Sequence, residues 1–206
     1  MQKNKYPGKF IVFEGLDGSG QSTQSKLLKE FLTKKRHQVL LTKEPTIDSQ
    51  AGKKIRKILD KKKKIPAAEL QKLFVRDRKE HLENLILPAL KKRKIVISDR
   101  YFFSTFAYGT ASGLDLGWLI KMNSRFLLPD LTLLLKVSPQ VCIDRIEKRG
   151  DARTLFEKKE QLKKVWQVYK LFPKKFKNVE MIDGQKTIKE VQNQVKKIVR
   201  SKLKLI

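Results

Sequence analysis

The sequence FEGLDGSGQST, from Phe13 to Thr23, connects an apolar run to a helical pattern, and the architecture of the chain follows from it. KFIVFEG (Lys9–Gly15) is short, apolar and rich in β-branched side chains, which predicts a buried strand. The segment after the loop places apolar residues at helical spacing: Leu27, Leu28, Phe31 and Leu32. A glycine-rich turn between a strand and a helix is the context in which proteins bind phosphate groups.

The turn matches the phosphate-loop consensus G-x-x-x-x-G-K-[ST] at Gly15, Gly20 and Ser22, but Gln21 stands where the consensus has lysine. Backbone N–H groups and a helix N-terminus bind phosphate without that lysine, and Ser22 can still place its hydroxyl on Mg²⁺. The lysine neutralises charge that develops during transfer. We therefore expect nucleotide binding to survive and the rate of catalysis to fall by at least about 10²–10³, unless another cation substitutes. The predicted nucleotide-binding loop comprises Gly15, Leu16, Asp17, Gly18, Ser19, Gly20, Gln21, Ser22 and Thr23.

Four further apolar runs alternate with helical patterns along the chain. They predict strands at Gln38–Pro45, Lys94–Asp99, Pro129–Val137 and Asn178–Gly184. Five strands alternating with helices predict an α/β fold of the P-loop NTPase type, a doubly wound five-stranded parallel sheet flanked by helices. The helical patterns also predict Asp48 as the cap of one helix and a kink near Pro88 in another. We find no linker or repeat, and expect one domain over residues 1–206.

Composition indicates a folded cytoplasmic protein with a strongly basic surface. The net charge is +27, and Cys142 is the single cysteine. A lone cysteine between apolar neighbours predicts a buried structural thiol and excludes an internal disulfide. No apolar run approaches the length of a membrane span. Because the lysines are scattered over every segment, solvated helix faces explain the charge better than a nucleic-acid partner, which stays an alternative.

Two other motifs carry polar groups suited to a nucleotide. ISDRYFFSTFAYG (Ile97–Gly109) follows the third strand, and ligands of such sheets bind at the carboxyl ends of strands. In FVRDR, Phe74 and Arg78 lie four residues apart on one helix face, where they could stack on a flat base and hydrogen-bond its edge. KRGDARTLFE (Lys148–Glu157) predicts a flexible loop with arginines.

In these motifs and their order, nearly the whole chain resembles the thymidylate kinase family, whose members transfer the γ-phosphate of ATP to dTMP. FEGLDGSG-ST looks like the family's phosphate loop, and DRY--S--AY looks like its more specific signature. The resemblance implies a homodimer with ATP, dTMP and Mg²⁺ as its small-molecule partners, in the biosynthesis of dTTP. It also implies that residues 148–157, approximately, form a lid over ATP.

The resemblance assigns a role to each matching residue. Asp17 would face the sugar hydroxyl of dTMP, and Arg100 and Lys43 would hold the acceptor phosphate. In the nucleoside pocket, Phe74 would stack on thymine, Arg78 would bond its carbonyl edge, and Ser104 and Tyr108 would line the wall. Ser22 and Asp99 would hold the metal. The residues implied in catalysis are Asp17, Arg100, Arg149 and Arg153, the last two from the lid.

Three departures from the family pattern keep other functions open. Gln21 replaces the lysine, Lys43 replaces a common arginine, and Gly109 stands where glutamine is usual. The first departure permits a nucleotide-binding but catalytically inactive protein, or an inactivated variant. The last permits an acceptor other than dTMP. A nucleic-acid binder is the alternative of a different class, and it predicts a steep salt dependence of DNA affinity.

Overall fold

The computed structural model describes residues 1–60, 65–148, 150 and 159–205. Its centre is a parallel sheet with strand order β2-β3-β1-β4-β5. The strands are β1 (Lys9–Gly15), β2 (Val39–Lys43), β3 (Ile95–Asp99), β4 (Leu131–Lys136) and β5 (Val179–Asp183). The prediction of a five-stranded, parallel, doubly wound sheet is confirmed. Four of the five strands are shorter than predicted, because residues at their ends lie outside the ladders of the sheet.

Helices connect the strands and cover both faces of the sheet. They are α1 (Gln21–Lys34), α2 (Gln50–Leu59), α3 (Ala67–His81), α4 (Leu87–Lys91), α5 (Phe102–Ala111), α6 (Leu116–Asn123), α7 (Pro139–Lys148), α8 (Lys159–Tyr169), α9 (Phe172–Lys175) and α10 (Ile188–Leu203). In the described ranges, none of them combines the length and apolar character needed to cross a membrane.

The two faces of β1 show why the sheet is buried on both sides. Phe10 and Val12 point into a core shared with α5 and α8, whereas Ile11 and Phe13 point into a core shared with α1 and α10. Successive side chains of a strand point to opposite faces, so a strand covered by helices on both sides is apolar throughout. The continuous run KFIVF in the sequence is the consequence.

One local expectation needs correction, and a second gains detail. Ser49, not Asp48, caps α2, because its side chain accepts a hydrogen bond from the Gly52 N–H. The long helical stretch from Ala67 does not simply kink at Pro88. It passes through a π-helical turn (Leu82–Ile86) that ends just before the proline. Proline has no N–H and its ring crowds the preceding turn, so wider π geometry there accommodates it.

The register of the sheet brings the predicted site residues to one edge. Asp99, at the end of β3, is the pairing partner of Phe13 on one side and of Lys43 on the other. The carboxyl ends of β1, β2 and β3 therefore lie side by side. The turn after β1, the lysine of β2 and the DRY motif after β3 all start from this edge.

Candidate active site

The turn from Gly15 to Thr23, called here the phosphate loop, owes its shape to glycines. Gly20 has φ 97° directly before α1, a left-handed conformation that glycine adopts without strain. Gly18 also has a positive φ, and a Cβ there would lie 2.5 Å from the backbone oxygen of Cys142. The loop thus packs against α7, and the N-terminus of α1 faces the space above it. Such a helix N-terminus attracts anions through its free N–H groups.

Gln21 turns its side chain into the phosphate loop. Its Nε2 donates to the backbone oxygen of Gly15 at 3.0 Å, and its Oε1 accepts from the Ser19 hydroxyl at 3.0 Å. A longer contact of 3.4 Å joins the same oxygen to Nη2 of Arg100. The side chain is 5% exposed. The amide therefore ties the loop together internally and brings no charge to it.

Arg100 supplies the positive charge next to this amide. Its Nη2 lies 2.7 Å from Oδ1 of Asp17, and its Nη1 donates to Gly15 O and to the Ser104 hydroxyl at 3.0 Å each. The Tyr108 hydroxyl donates to the other Asp17 oxygen at 2.6 Å. Burial opposes the charge of Arg100, but Asp17 raises its pKa well above the ordinary value. The side chains of four predicted residues, together with the backbone oxygen of Gly15, thus form one hydrogen-bonded network.

Ser22 and Asp99 provide hard oxygen atoms at the mouth of the phosphate loop. The Ser22 hydroxyl donates to Oδ2 of Asp99 at 2.5 Å, although the residues lie 77 positions apart. Within the described ranges, no group of three or more His, Cys, Asp or Glu side chains could hold a metal ion. Mg²⁺ needs fewer protein ligands, because it keeps waters and shares substrate phosphates. One hydroxyl and one carboxylate fit that requirement.

A single cavity of about 320 Å³ connects this region to the helix face that carries Phe74 and Arg78. Asp17, Gln21, Ser22, Asp99 and Arg100 line one part, here called the phosphate end. The other part, here called the base end, is lined by Gln71, Phe74, Arg78 and Thr105. Its size and mixed lining are typical of small-molecule sites.

Arg78 is the most buried cation of the base end, with 1% of its side chain exposed. Its Nε and Nη2 both lie within 2.9 Å of Oε2 of Glu44, which is 3% exposed. Nη1 donates to Asn123 at 2.6 Å and Nη2 to Thr105 at 3.1 Å. His81 contacts the remaining Glu44 oxygen at 3.2 Å. The guanidinium is therefore held in place before any ligand arrives.

Glu14 lies directly beneath the phosphate end and is fully buried. One oxygen accepts from the backbone N–H groups of Tyr101 and Ser104, and the other from the hydroxyls of Ser104 and Tyr169. Burial raises the pKa of this carboxyl to about 7, although Arg100 and the hydrogen bonds oppose the shift. Glu14 fixes the start of α5 and thereby the DRY turn. The sequence analysis missed it.

Lys43 and Arg56 stand at the wall between the two ends. Lys43 is exposed as a residue, but partial desolvation at the wall lowers its pKa, and the nearby charge of Arg56 lowers that pKa further. Arg56 donates to the backbone oxygens of Pro45 and Thr46. Sequence reasoning missed Arg56 because it is one cation among many in AGKKIRKIL.

The structure brings together most of the residues predicted for the site. They are Asp17, Gly18, Gln21, Ser22, Lys43, Phe74, Arg78, Asp99, Arg100, Ser104 and Tyr108. Arg149 and Arg153 lie outside the described residues, as does most of the predicted lid. Cys142 is buried as predicted, and burial raises the pKa of its thiol to about 12, which suits a structural role.

Comparisons with known proteins agree on one family. A family model described as "Thymidylate kinase" matches residues 13–195. A probable thymidylate kinase of Pyrococcus horikoshii is 42% identical over 202 residues, which cover 95% of this chain and 98% of that protein. A thymidylate kinase of Desulfotalea psychrophila is 38% identical over 200 residues, covering 97% and 98%. The solved thymidylate kinase structure from Candida albicans has TM-score 0.83 and 27% identity, covering 98% of this chain and 96% of that one.

Proposed function

The chain belongs to the thymidylate kinase family, whose reaction is phosphoryl transfer to dTMP, and we propose that the cavity described above carries out this transfer from Mg·ATP. The observation that carries the proposal is the continuity of that cavity. It joins a phosphate loop with Ser22 and Asp99 to an aromatic and guanidinium pair, Phe74 and Arg78, suited to a base. Phosphoryl transfer needs donor and acceptor aligned in one site.

The acceptor nucleotide fits the cavity in one orientation. Thymine stacks on Phe74 and receives a hydrogen bond from Arg78 on a carbonyl. The sugar hydroxyl meets Asp17, whose carboxylate Arg100 and Tyr108 already hold. Tyr108 and Ser104 close the sugar side, and Arg100 and Lys43 bind the phosphate. Because these partners are fixed in advance, little free energy of binding is lost in ordering them.

The donor nucleotide places its phosphates on the phosphate loop. Backbone N–H groups between Gly15 and Thr23 and the N-terminus of α1 bind the β-phosphate region. Ser22 and Asp99 would hold Mg²⁺, which would supply charge neutralisation between the phosphates. Arg149 and Arg153 are the remaining cations that the family resemblance assigns to the γ-phosphate.

In this proposal, the uncharged side chain of Gln21 limits the rate of phosphoryl transfer. Its amide bonds Gly15 O and Ser19, so no cation extends from position 21 toward the transferred group. Arg100 contacts this amide, but its guanidinium is held by Asp17, Gly15 O and Ser104 and is assigned to the acceptor phosphate in this proposal. We expect the chain to bind both nucleotides and to transfer slowly.

The test is ADP formation from Mg·ATP and dTMP by this chain and by Gln21→Lys, side by side. The lysine variant should be faster in kcat by about 10²–10³, with the KM for dTMP changed less than threefold. dUMP and AMP serve as control acceptors. Equal rates would show that glutamine suffices, and would overturn the role given to Gln21.

Two other outcomes separate the competing functions. If only the lysine variant turns over while this chain binds ATP and dTMP, the chain is a nucleotide-binding protein without turnover, which the internal bonding of Gln21 favours as second candidate. If neither protein uses or binds dTMP, the acceptor assignment is wrong. The homodimer usual in the family is carried over as a further proposal, which light scattering after size-exclusion chromatography measures.

A further inference from the structure

Gln71 carries an unsatisfied polar atom in the wall of the base end. The side chain lies on α3, is 2% exposed and lines the cavity. Its Oε1 has no hydrogen-bond partner in the part of the chain that the structure describes. Buried polar atoms are nearly always paired, because an unpaired one costs free energy. An unpaired oxygen beside a ligand cavity indicates that the partner is the ligand.

The position of Gln71 on α3 directs it at the same ligand as Phe74 and Arg78. These residues are separated by three and seven positions, so they share one helical face. Across the cavity wall from Gln71 lies Gly109 of α5. A Cβ added at Gly109 would come within 3.5 Å of the amide carbon of Gln71 and 2.8 Å of Leu119. The absence of a Cβ at Gly109 therefore accommodates Leu119, and the Gln71 amide packs beside the same glycine.

The free atom of Gln71 supplies what Arg78 cannot. The edge of a thymine ring presents a donor, N3–H, between two carbonyl acceptors. Arg78 has donors only, so it can serve a carbonyl and not the N–H. The carboxylate of Glu44 and the amide oxygen of Asn123 are acceptors, but Arg78 already engages both. Among the described residues that line the cavity, two buried polar atoms lack a partner, the Gln71 Oε1 and the Tyr101 hydroxyl. Of these two, only Gln71 shares the helical face of Phe74 and Arg78 on α3, so its oxygen is the acceptor that faces the same ligand.

We propose that Gln71 is a specificity-determining residue that accepts a hydrogen bond from N3–H of the acceptor base. It selects bases with a protonated N3, namely thymine and uracil, against cytosine, whose N3 has no hydrogen. It does not separate thymine from uracil, because both carry the same edge. This inference rests on the proposed function, since it places the acceptor nucleotide in the base end.

The test is titration calorimetry with dTMP, dUMP and dCMP, without ATP, on this chain and on Gln71→Met. Methionine keeps the approximate volume and removes the amide. The variant should bind dTMP and dUMP about tenfold more weakly, while dCMP binding changes less than twofold, so that the preference for dTMP over dCMP shrinks. A single lost hydrogen bond to a buried group accounts for a change of this size.

Gln192→Met is the matched control. Gln192 lies on α10, is 5% exposed and has both amide atoms unpaired among the described residues, but it does not line the cavity. Its replacement makes the same chemical change and should leave all three affinities within twofold. If both variants weaken dTMP equally, the effect is structural and the proposal fails.

The remaining outcomes distinguish this inference from the proposed function. If the parent chain does not bind dTMP, the proposed function fails at its acceptor. If the parent binds dTMP and Gln71→Met binds it equally well, the function stands and the role of Gln71 is overturned. Should Gln71→Met fail to fold by circular dichroism, Gln71→Asn, which draws the amide back by one methylene, must show the same loss of preference.

Discussion

The base end and the phosphate end of the cavity use their charges in different ways. At the base end, Arg78 and Glu44 are 1% and 3% exposed and neutralise each other. At the phosphate end, Arg100 is paired with Asp17 at 17% and 26% exposure. At the wall beside it, Lys43 forms no ion pair with any residue that the structure describes. The charges of the base end therefore compensate each other, whereas the phosphate end and the wall beside it keep positive charge for an anion.

This difference separates recognition from catalysis. A buried, fully paired guanidinium recognises a base by position and hydrogen bonding, because its charge is already compensated. An anion with two or three phosphates needs the uncompensated charge of the other end. Gln21 removes one cation from that end and none from the base end. The chain should therefore keep its acceptor specificity more completely than its rate.

The largest expected effect comes from removing the buried cation of the base end. Arg78→Met leaves Glu44 buried beside His81 without its guanidinium, and leaves Asn123 and Thr105 without their donor. Loss of one partner of a buried ion pair destabilises proteins by about 3–5 kcal/mol. Urea unfolding monitored by fluorescence should show a loss of that size, together with loss of dTMP binding.

Arg76→Met provides the control for that measurement. Arg76 lies on the same helix, is 66% exposed and contacts Glu80 four residues later. Exposed pairs of this kind contribute about 0.2–1 kcal/mol. If the Arg78 and Arg76 variants lose equal stability, the description of a preorganised base end is wrong.

The sequence predicted the base end less completely than the phosphate end, for a physical reason. The phosphate loop lies in one stretch of sequence, in which a strand is followed by glycines at 15, 18 and 20 and by Ser22. Local backbone rules therefore predict it. Arg78 and Phe74 were found because their spacing is helical. The partners of Arg78 lie 34, 45 and 27 positions away, and no local pattern identifies such contacts. Gln71 was missed because a single amide in a mixed helix gives no periodic signal.

Replacing Glu14 with Gln tests how far the floor of the phosphate end depends on charge. The pKa of Glu14 is raised from 4.5 to about 7 by burial, so the folded state holds a proton that the unfolded state has lost between those values. Stability from this group is therefore complete below pH 4.5 and decreases as pH rises to about 7. The total change is about 3 kcal/mol.

Glutamine should remove this pH dependence and keep the contacts. Its oxygen can accept from the Tyr101 and Ser104 N–H groups, and its amide can donate to the Ser104 and Tyr169 hydroxyls, which then act as acceptors. Unfolding free energies of both proteins at pH 5, 6, 7 and 8 give the comparison. The variant should gain on the parent as pH rises. A difference that does not vary with pH would show that Glu14 is ionised throughout this range.

The smallest expected effect comes from Lys43 at the cavity wall. It tests whether an unpaired charge beside the phosphate end binds the acceptor phosphate. Desolvation and then Arg56 lower its pKa below the ordinary 10.5, so its charge is lost at a lower pH than that of a free lysine. Binding of the acceptor phosphate should weaken accordingly in the parent as pH rises toward 10.5. In Lys43→Arg it should stay level, because arginine remains charged. The expected difference is at most about fivefold, the size of an exposed ion pair. Ionisation of dTMP itself affects both proteins and cancels in the ratio of their affinities.

Lys72→Arg, on an exposed face beside Glu69, is the control and should follow the parent. If Lys43→Arg also follows the parent, the lysine does not bind the phosphate, and the free charge of this end rests on Arg56 and Arg100 alone among the described residues that line it.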